Sequence, residues 1–195
     1  MKLQKLWALL KASKYIIKWK GTDAEWLSDG YAAYPVYGLP ELSEDMLRTM
    51  LDVDEDKWSG YRYREEAEPP FSDEDNFRDD EELRVSQVTF TVHGVEYIAL
   101  TQGLDIYLIR CKELKPLDSS EGLGFYLRDG YVAVKEGMIL RAVILPEIIT
   151  DDTILAEIMS IATKLRDRAS EHAREVYREE YDDQQIFEDV EEDEE

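Results

Sequence analysis

Residues Tyr131 to Leu145 read YVAVKEGMILRAVIL and decide the fold class. Two apolar, β-branched runs, Tyr131 to Lys135 and Met138 to Leu145, flank the pair Glu136-Gly137, which is a turn signal. Two strands joined by so short a turn are antiparallel, because a parallel pair needs a crossover of about a dozen residues or more. The stretch therefore predicts a β-hairpin.

The same pattern continues toward the N-terminus as far as Leu83. Turn signals at His93-Gly94, Gly103 and Asp129-Gly130 separate further runs with β character. Because these runs are short and closely spaced, they predict one antiparallel sheet. Its strands are expected at Val85 to Val92, Val95 to Thr101, Asp105 to Glu113, Phe125 to Arg128, Tyr131 to Lys135 and Met138 to Leu145.

Residues before this region combine helices with a smaller group of strands. The spacing of Leu3, Leu6, Trp7 and Leu10 predicts an amphipathic helix over residues 2–13. Residues 15–20 have β character, and the Asp-Gly turn within residues 25–34 predicts a hairpin. A short helix over residues 43–53 is expected to begin at the N-cap residue Ser43.

An apolar stripe after Pro146 predicts a long C-terminal helix. It consists of Ile154, Ile158, Ile161, Leu165, Ala169, Ala173 and Val176. We therefore expect a single α+β domain over residues 1–181, in which an antiparallel β-sheet packs with an N-terminal and a long C-terminal helix. Within it, residues 54–82 are predicted to be a long, mobile acidic loop, and residues 182–195 are predicted to form a disordered acidic tail.

The chain is strongly acidic. Its 195 residues include 45 Asp and Glu against 23 Lys and Arg, a formal net charge of -22. Such a charge opposes direct binding to nucleic acid or to an anionic membrane. Residues 1–20 carry six lysines and no acidic residue, whereas residues 51–82 and 151–195 carry net charges of -10 and -12. The negative charge is thus concentrated in the predicted loop and the C-terminal region.

Cysteine usage and hydropathy predict the compartment. The single cysteine, Cys111, cannot form an intramolecular disulfide, which is typical of a protein in a reducing compartment. No run approaches the roughly 18 apolar residues that a membrane span requires. A cytoplasmic protein without membrane association is expected.

Two acidic patterns have the residue types of metal sites but lack the rest of the arrangement that such sites need. Asp52, Asp54 and Asp56 alternate as in a calcium-binding loop, but a lysine and a tyrosine stand where that loop needs glycine and a final glutamate. Asp105 and Glu113 have the chemistry of a metal-dependent nuclease, yet both fall on one predicted strand. Both patterns are interpreted as structural.

Other reactive side chains lack partners in the sequence. His93 and His172 lie in unrelated contexts, and no histidine is close to Cys111. No phosphate-binding loop, dinucleotide fingerprint or nucleophile elbow is present. The sequence therefore predicts a non-enzymatic protein with no catalytic residue, metal or cofactor. An enzyme whose site is assembled from distant residues stays open as a third alternative.

An acidic protein without catalytic motifs is expected to bind a basic surface of another protein. Nucleic-acid-binding grooves are such surfaces, so carboxylates placed in their phosphate sites would make the protein a nucleic-acid mimic. Exposed aromatic side chains in the densest aromatic region would add contact area. The candidate partner-binding residues are Asp73, Glu74, Asp75, Asp79, Asp80, Glu81, Glu82, Tyr31 and Tyr37.

Two segments carry a resemblance. Residues 34–42, YPVYGLPEL, and 132–142, VAVKEGMILRA, resemble segments of uncharacterised proteins encoded by phages and prophages of gut bacteria. The resemblance implies an intracellular, phage-encoded protein but no known activity or site residue. It sharpens the mimic hypothesis to an inhibitor of the anti-CRISPR or anti-restriction type. The alternative is a self-assembling structural or adaptor protein of a phage operon, in which the lysine-rich N-terminus of one copy meets the acidic tail of another.

Overall fold

The computed structural model describes residues 1–103, 105–117 and 122–147, which belong to one compact unit, Met1–Ile148. The C-terminal helix and the acidic tail predicted from the sequence lie outside the described residues. No helix among the described residues is long and apolar enough to cross a membrane.

The described residues of this unit form ten strands and three α-helices. In chain order they are α1 (Leu3–Ser13), β1 (Tyr15–Lys20), β2 (Glu25–Ser28), β3 (Ala32–Val36), α2 (Glu44–Met50), α3 (Glu55–Trp58), β4 (Arg62–Glu66), β5 (Glu81–Val92), β6 (Val95–Gln102), β7 (Asp105–Arg110), β8 (Leu123–Arg128), β9 (Tyr131–Glu136) and β10 (Ile139–Ile144). One turn of 3-10 helix, Cys111–Leu114, follows β7.

The strands form one mixed sheet in the order β4-β1-β2-β3-β10-β9-β8-β5-β6-β7. The α+β class and the sheet are as predicted. The prediction of a purely antiparallel sheet is wrong, because β4 pairs in parallel with β1. This pairing is possible because the connection from β1 to β4 is long and carries two strands and two helices. The other pairings between named strands are antiparallel.

The predicted strand Asp105 to Glu113 is too long at its C-terminal end. It stops at Arg110, and the next four residues form the 3-10 turn. The predicted helix over 43–53 is shorter, Glu44–Met50, and its N-cap is confirmed, since the Ser43 hydroxyl accepts a hydrogen bond from the Met46 N–H. The segment predicted as a loop, 54–82, contains α3 and β4 and the first residues of β5.

The sheet curls so that β7, at its edge, pairs with the segment that follows β10. Leu108 and Glu147 form an antiparallel bridge, in which the Glu147 N–H donates to the Leu108 carbonyl at 2.7 Å. The six strands from β10 to β7 therefore close upon themselves. The larger core lies on one face of the sheet, and α1 contributes Leu6 and Leu10 to it.

A second, smaller core covers the opposite face of the sheet. Trp19, Trp26, Leu140 and Val143 belong to it, and Phe71 packs on them from the segment 67–80. The Phe71 ring makes edge-to-face contacts with Trp19 and Trp26 at centroid distances of 5.7 and 5.1 Å. The acidic segment therefore lies on the sheet with an aromatic anchor.

Candidate functional site

Arg128 holds the acidic segment 67–80 onto the sheet. Its side chain is completely buried, and its Nε and Nη2 atoms donate to the two Asp80 carboxylate oxygens at 2.7 and 2.8 Å. Its Nη1 donates to the backbone carbonyls of Ser72 and Glu74 at 2.9 and 2.7 Å. One guanidinium thus fixes the segment at three places.

Asp80 serves this internal network. Its side chain is 6% exposed and also pairs with the ammonium of Lys135. Burial alone would raise the pKa of Asp80, but the hydrogen bonds from Arg128 and Lys135 hold that pKa below its usual range. The partner-binding role predicted for Asp80 conflicts with this burial, because a second protein has no access to the carboxylate.

Asp73 and Asp75 fasten the same segment to neighbouring backbone. The Asp73 carboxylate accepts from the N–H and the hydroxyl of Thr22 at 2.5 and 3.2 Å. The Asp75 carboxylate accepts from the Leu140 N–H at 2.7 Å. Each aspartate keeps further lone pairs for a ligand, since an ionised carboxylate can accept about four hydrogen bonds.

Gly21 makes the close approach of Asp73 possible. A Cβ atom at this position would lie 2.5 Å from the Asp73 Oδ2 and 2.6 Å from the indole nitrogen of Trp26. Both distances are below van der Waals contact, so any larger residue would displace the Asp73 carboxylate or the Trp26 ring.

These contacts leave a cleft between the acidic segment, the β1–β2 turn and the start of β10. Its volume is about 740 Å³. It is lined by Thr22, Asp23, Ala24, Trp26, Tyr37, Asp73, Glu74, Asp75, Ile139 and Arg141. We call it the acidic cleft.

Four carboxylates and one guanidinium face the acidic cleft. The guanidinium belongs to Arg141, which already pairs with Glu136 at 2.9 Å. Tyr37 is 46% exposed. Its pKa is raised by partial burial and by the negative charges of Asp75, Asp23 and Asp73, although Arg141 opposes them. The cleft therefore combines an accessible aromatic ring with a negative potential, which suits a cationic group.

The structure brings four of the predicted partner-binding residues together, namely Tyr37, Asp73, Glu74 and Asp75. Sequence reasoning missed Asp23, Trp26 and Arg141. The Gly21-Thr22-Asp23 turn was a usable signal, because a turn after one strand and before the next places its carboxylate at the sheet end.

The other predicted residues lie outside the acidic cleft. Asp79 and Glu82 are exposed, and Glu81 accepts a hydrogen bond from the Gln102 amide at 2.5 Å. Tyr31 lies near the 3-10 turn, where the Arg110 guanidinium stacks 3.6 Å from the centre of its ring. Arg110 in turn pairs with Glu147.

A second acidic group, Asp29 and Glu113, is buried. Asp29 accepts from the N–H groups of Tyr31 and Ala32 at 3.0 and 3.1 Å, which stabilises the β2–β3 turn. The Glu113 backbone carbonyl accepts from the Tyr34 hydroxyl at 2.6 Å. The Lys112 ammonium lies 3.7 and 3.2 Å from the two carboxylates.

Burial raises the pKa of Glu113 to about 7, and the charge of Asp29 adds to this effect while Lys112 opposes it. The carboxylate oxygens Asp29 Oδ2 and Glu113 Oε1 accept no well-aligned hydrogen bond, and the Lys112 ammonium compensates them only as an ion pair. Through Lys112, the pair joins the end of β2 to the 3-10 turn.

The metal-type patterns are not assembled into sites. Asp54 accepts from the Lys57 ammonium at 2.6 Å beside α3. Asp105 begins β7, whereas Glu113 lies beyond its other end. Among the described residues, no group of three or more His, Cys, Asp or Glu side chains is arranged to hold a metal ion.

Two of the reactive candidates, His93 and Cys111, have structural surroundings, and His172 lies outside the described residues. His93 and Gly94 form the β5–β6 turn with φ values of +49° and +79°. Burial raises the pKa of the Cys111 thiol, which is the opposite of what an activated nucleophile needs.

No family model, curated protein or solved structure matches this chain. Its function is therefore argued from the chemistry of its own residues. The feature with the clearest chemistry is the acidic cleft.

Proposed function

We propose that the protein is a non-enzymatic binding protein whose acidic cleft receives a cationic side chain from a basic surface of another protein. The observation that carries this proposal is the convergence of four carboxylates and the exposed ring of Tyr37 on one cleft. An arginine or lysine side chain would enter the cleft, lie against the ring and pair with the carboxylates.

The positions of the carboxylates support the binding of a cationic side chain in the acidic cleft. Asp73 and Asp75 are already oriented by Thr22 and Leu140, so they lose little conformational freedom when a cation binds. Glu74 and Asp23 are exposed and complete the negative rim. Arg141 is held by Glu136, which limits its competition with an incoming cation.

The partner class follows from the charge of the whole chain. With a net charge of -22, the protein would be steered toward strongly basic surfaces, and nucleic-acid-binding grooves are among them. Carboxylates near the acidic cleft and the exposed Asp79 and Glu82 would occupy phosphate sites of such a groove. Given the resemblance to phage proteins, we propose that the partner is a host enzyme of CRISPR or restriction defence. The two proteins would meet in the cytoplasm.

The test is capture of partners from a bacterial lysate, followed by displacement with DNA or RNA. The cleft variant combines Asp23→Asn and Glu74→Gln, since neither side chain fastens the acidic segment. The matched control combines Glu41→Gln and Glu68→Gln, which remove the same charge at exposed positions outside the cleft.

The proposal expects a nucleic-acid-binding enzyme that is retained at low salt, released at high salt and displaced by nucleic acid. The cleft variant should bind it at least about tenfold more weakly than the control, since each lost charge-assisted contact contributes roughly 1 kcal/mol or more. Equal binding by both variants would contradict a role for the acidic cleft. Binding that DNA and RNA do not displace would contradict mimicry.

A further inference from the structure

The β5–β6 hairpin extends beyond the rest of the sheet. β5 pairs with β6 as far as Val92, but β8 pairs with β5 only at residues 81–83. Along Thr89–Val92, β5 therefore has β6 on one side and, among the residues that the structure describes, no strand on the other. We call Thr89–Val92 the open edge.

The backbone of the open edge has groups available for pairing. The two-residue turn His93-Gly94 makes Val92 and Val95 a hydrogen-bonded pair, so the N–H groups of Thr91 and Thr89 point away from β6. Both threonines are exposed. Phe90 stacks on Tyr97 of β6 at a centroid distance of 6.0 Å, which holds the hairpin in shape.

Among the described residues, the open edge lacks the usual protection against strand addition. Proteins protect sheet edges with charged residues or proline. The β4 edge follows this rule, because four of its five residues are charged, namely Arg62, Arg64, Glu65 and Glu66. The open edge contains Thr, Phe, Thr and Val, residues with high β-propensity and no charge.

We propose that a second copy of this chain pairs with the open edge. Two open edges would lie antiparallel about a two-fold axis and form a four-stranded ribbon in the order β6-β5-β5-β6. About a two-fold axis, each residue of the segment faces the same segment of the other copy. Because the segment has no charged residue, this arrangement brings no like charges together. Elsewhere two copies with a net charge of -22 repel each other, so the neutral edge is the place where they can approach.

The proposed dimer has a characteristic salt dependence. Four residues from each copy bury far less than the roughly 1,200 Å² of a standard interface, so the dimer is weak. Salt screens the repulsion between the two acidic bodies and leaves the backbone hydrogen bonds in place, so association should strengthen as salt rises. Binding of a basic partner in the acidic cleft, by contrast, weakens with salt. The dimer does not rest on the proposed function, and its salt dependence distinguishes the two associations.

The test is sedimentation equilibrium of the full chain from micromolar to about 1 mM protein, at about 50 and 500 mM NaCl. Thr91→Pro removes an outward N–H without touching the bonds to β6. Thr91→Glu places a negative charge on the open edge. Thr49→Glu, on an exposed position of α2, is the control with the same change in charge.

We expect the wild type to dimerise at the higher salt, with a dissociation constant several-fold lower than at the lower salt. Thr91→Pro and Thr91→Glu should raise that constant at least tenfold, and Thr49→Glu should leave it within about twofold. A wild type that stays monomeric at about 1 mM overturns the proposal. So does association that salt weakens, which would indicate lysine-to-carboxylate assembly, or a folded Thr91→Pro variant that dimerises like the wild type.

Discussion

Arg128 and Asp80 form an ion pair that is buried beneath the acidic segment. Both carboxylate oxygens accept from the guanidinium, at 2.7 and 2.8 Å. The pair connects β8 to the end of a segment that the charge pattern alone assigns to solvent. It explains why so acidic a segment lies on the sheet, because its most buried acid has two cations, Arg128 and Lys135.

Replacing Arg128 should be strongly destabilising. Arg128→Met leaves the Asp80 carboxylate buried with only Lys135, and it removes the donors to Ser72 and Glu74. We expect a loss of about 3–5 kcal/mol in the free energy of unfolding, measured by urea titration. The control is Arg78→Met at an exposed position, which should change stability by no more than about 0.5 kcal/mol. Equal effects of the two substitutions would contradict the structural role of the pair.

Phe71 should be the apolar anchor of the acidic segment. Phe71→Ala removes its ring contacts with Trp19, Trp26 and Tyr131, so we expect a loss of about 3–5 kcal/mol. Amide hydrogen exchange should quicken in residues 72–80 more than in β6. Uniform exchange across both regions would show that Phe71 stabilises the whole unit and does not anchor the segment.

The sequence predicts what is local in this fold. The β9–β10 hairpin, the β1–β3 strands and the Ser43 N-cap follow from turn signals and periodicity, because the residues that determine them are neighbours in the chain. The parallel pairing of β4 with β1 brings together residues more than forty positions apart, such as Tyr15 and Arg62, and no local pattern predicts it.

For the same reason, only some residues of the acidic cleft could be predicted from the sequence. Charge density identified Asp73, Glu74 and Asp75, and the aromatic content identified Tyr37. Which carboxylates face solvent depends on Arg128, which is 48 residues from Asp80 in the chain. A lone arginine on a predicted strand gives no sign that it will neutralise a distant aspartate.

Cys111 should react slowly with thiol reagents. Burial raises the pKa of its thiol, so the thiolate fraction at neutral pH is smaller than in a free cysteine. Alkylation by iodoacetamide, followed by mass spectrometry, should be slower than that of a cysteine-containing peptide at pH 7.5 and should become faster on unfolding in urea. A rate in the folded protein above that of the peptide would contradict this assignment and revive a nucleophilic role.

Glu113 should make the stability depend on pH in the neutral range. Burial raises its pKa from the ordinary 4.5 to about 7 in the folded chain, so the folded state binds this proton more tightly than the unfolded state. The resulting stabilisation is fully present below the unfolded pKa and is lost as the pH rises from about 4.5 to 7, by about 3 kcal/mol. Glu113→Gln cannot ionise, so its unfolding free energy should fall less over this interval than that of the wild type.

The measurement is urea unfolding at several values of pH between 4.5 and 8, with Glu96→Gln as the control at an exposed position. The difference between Glu113→Gln and the wild type should shift in favour of the variant as the pH rises, whereas the control should follow the wild type. Parallel pH profiles for all three proteins would mean that Glu113 is ionised throughout the interval. Lys112 would then be the cation that stabilises the Glu113 carboxylate, which its distance of 3.2 Å allows.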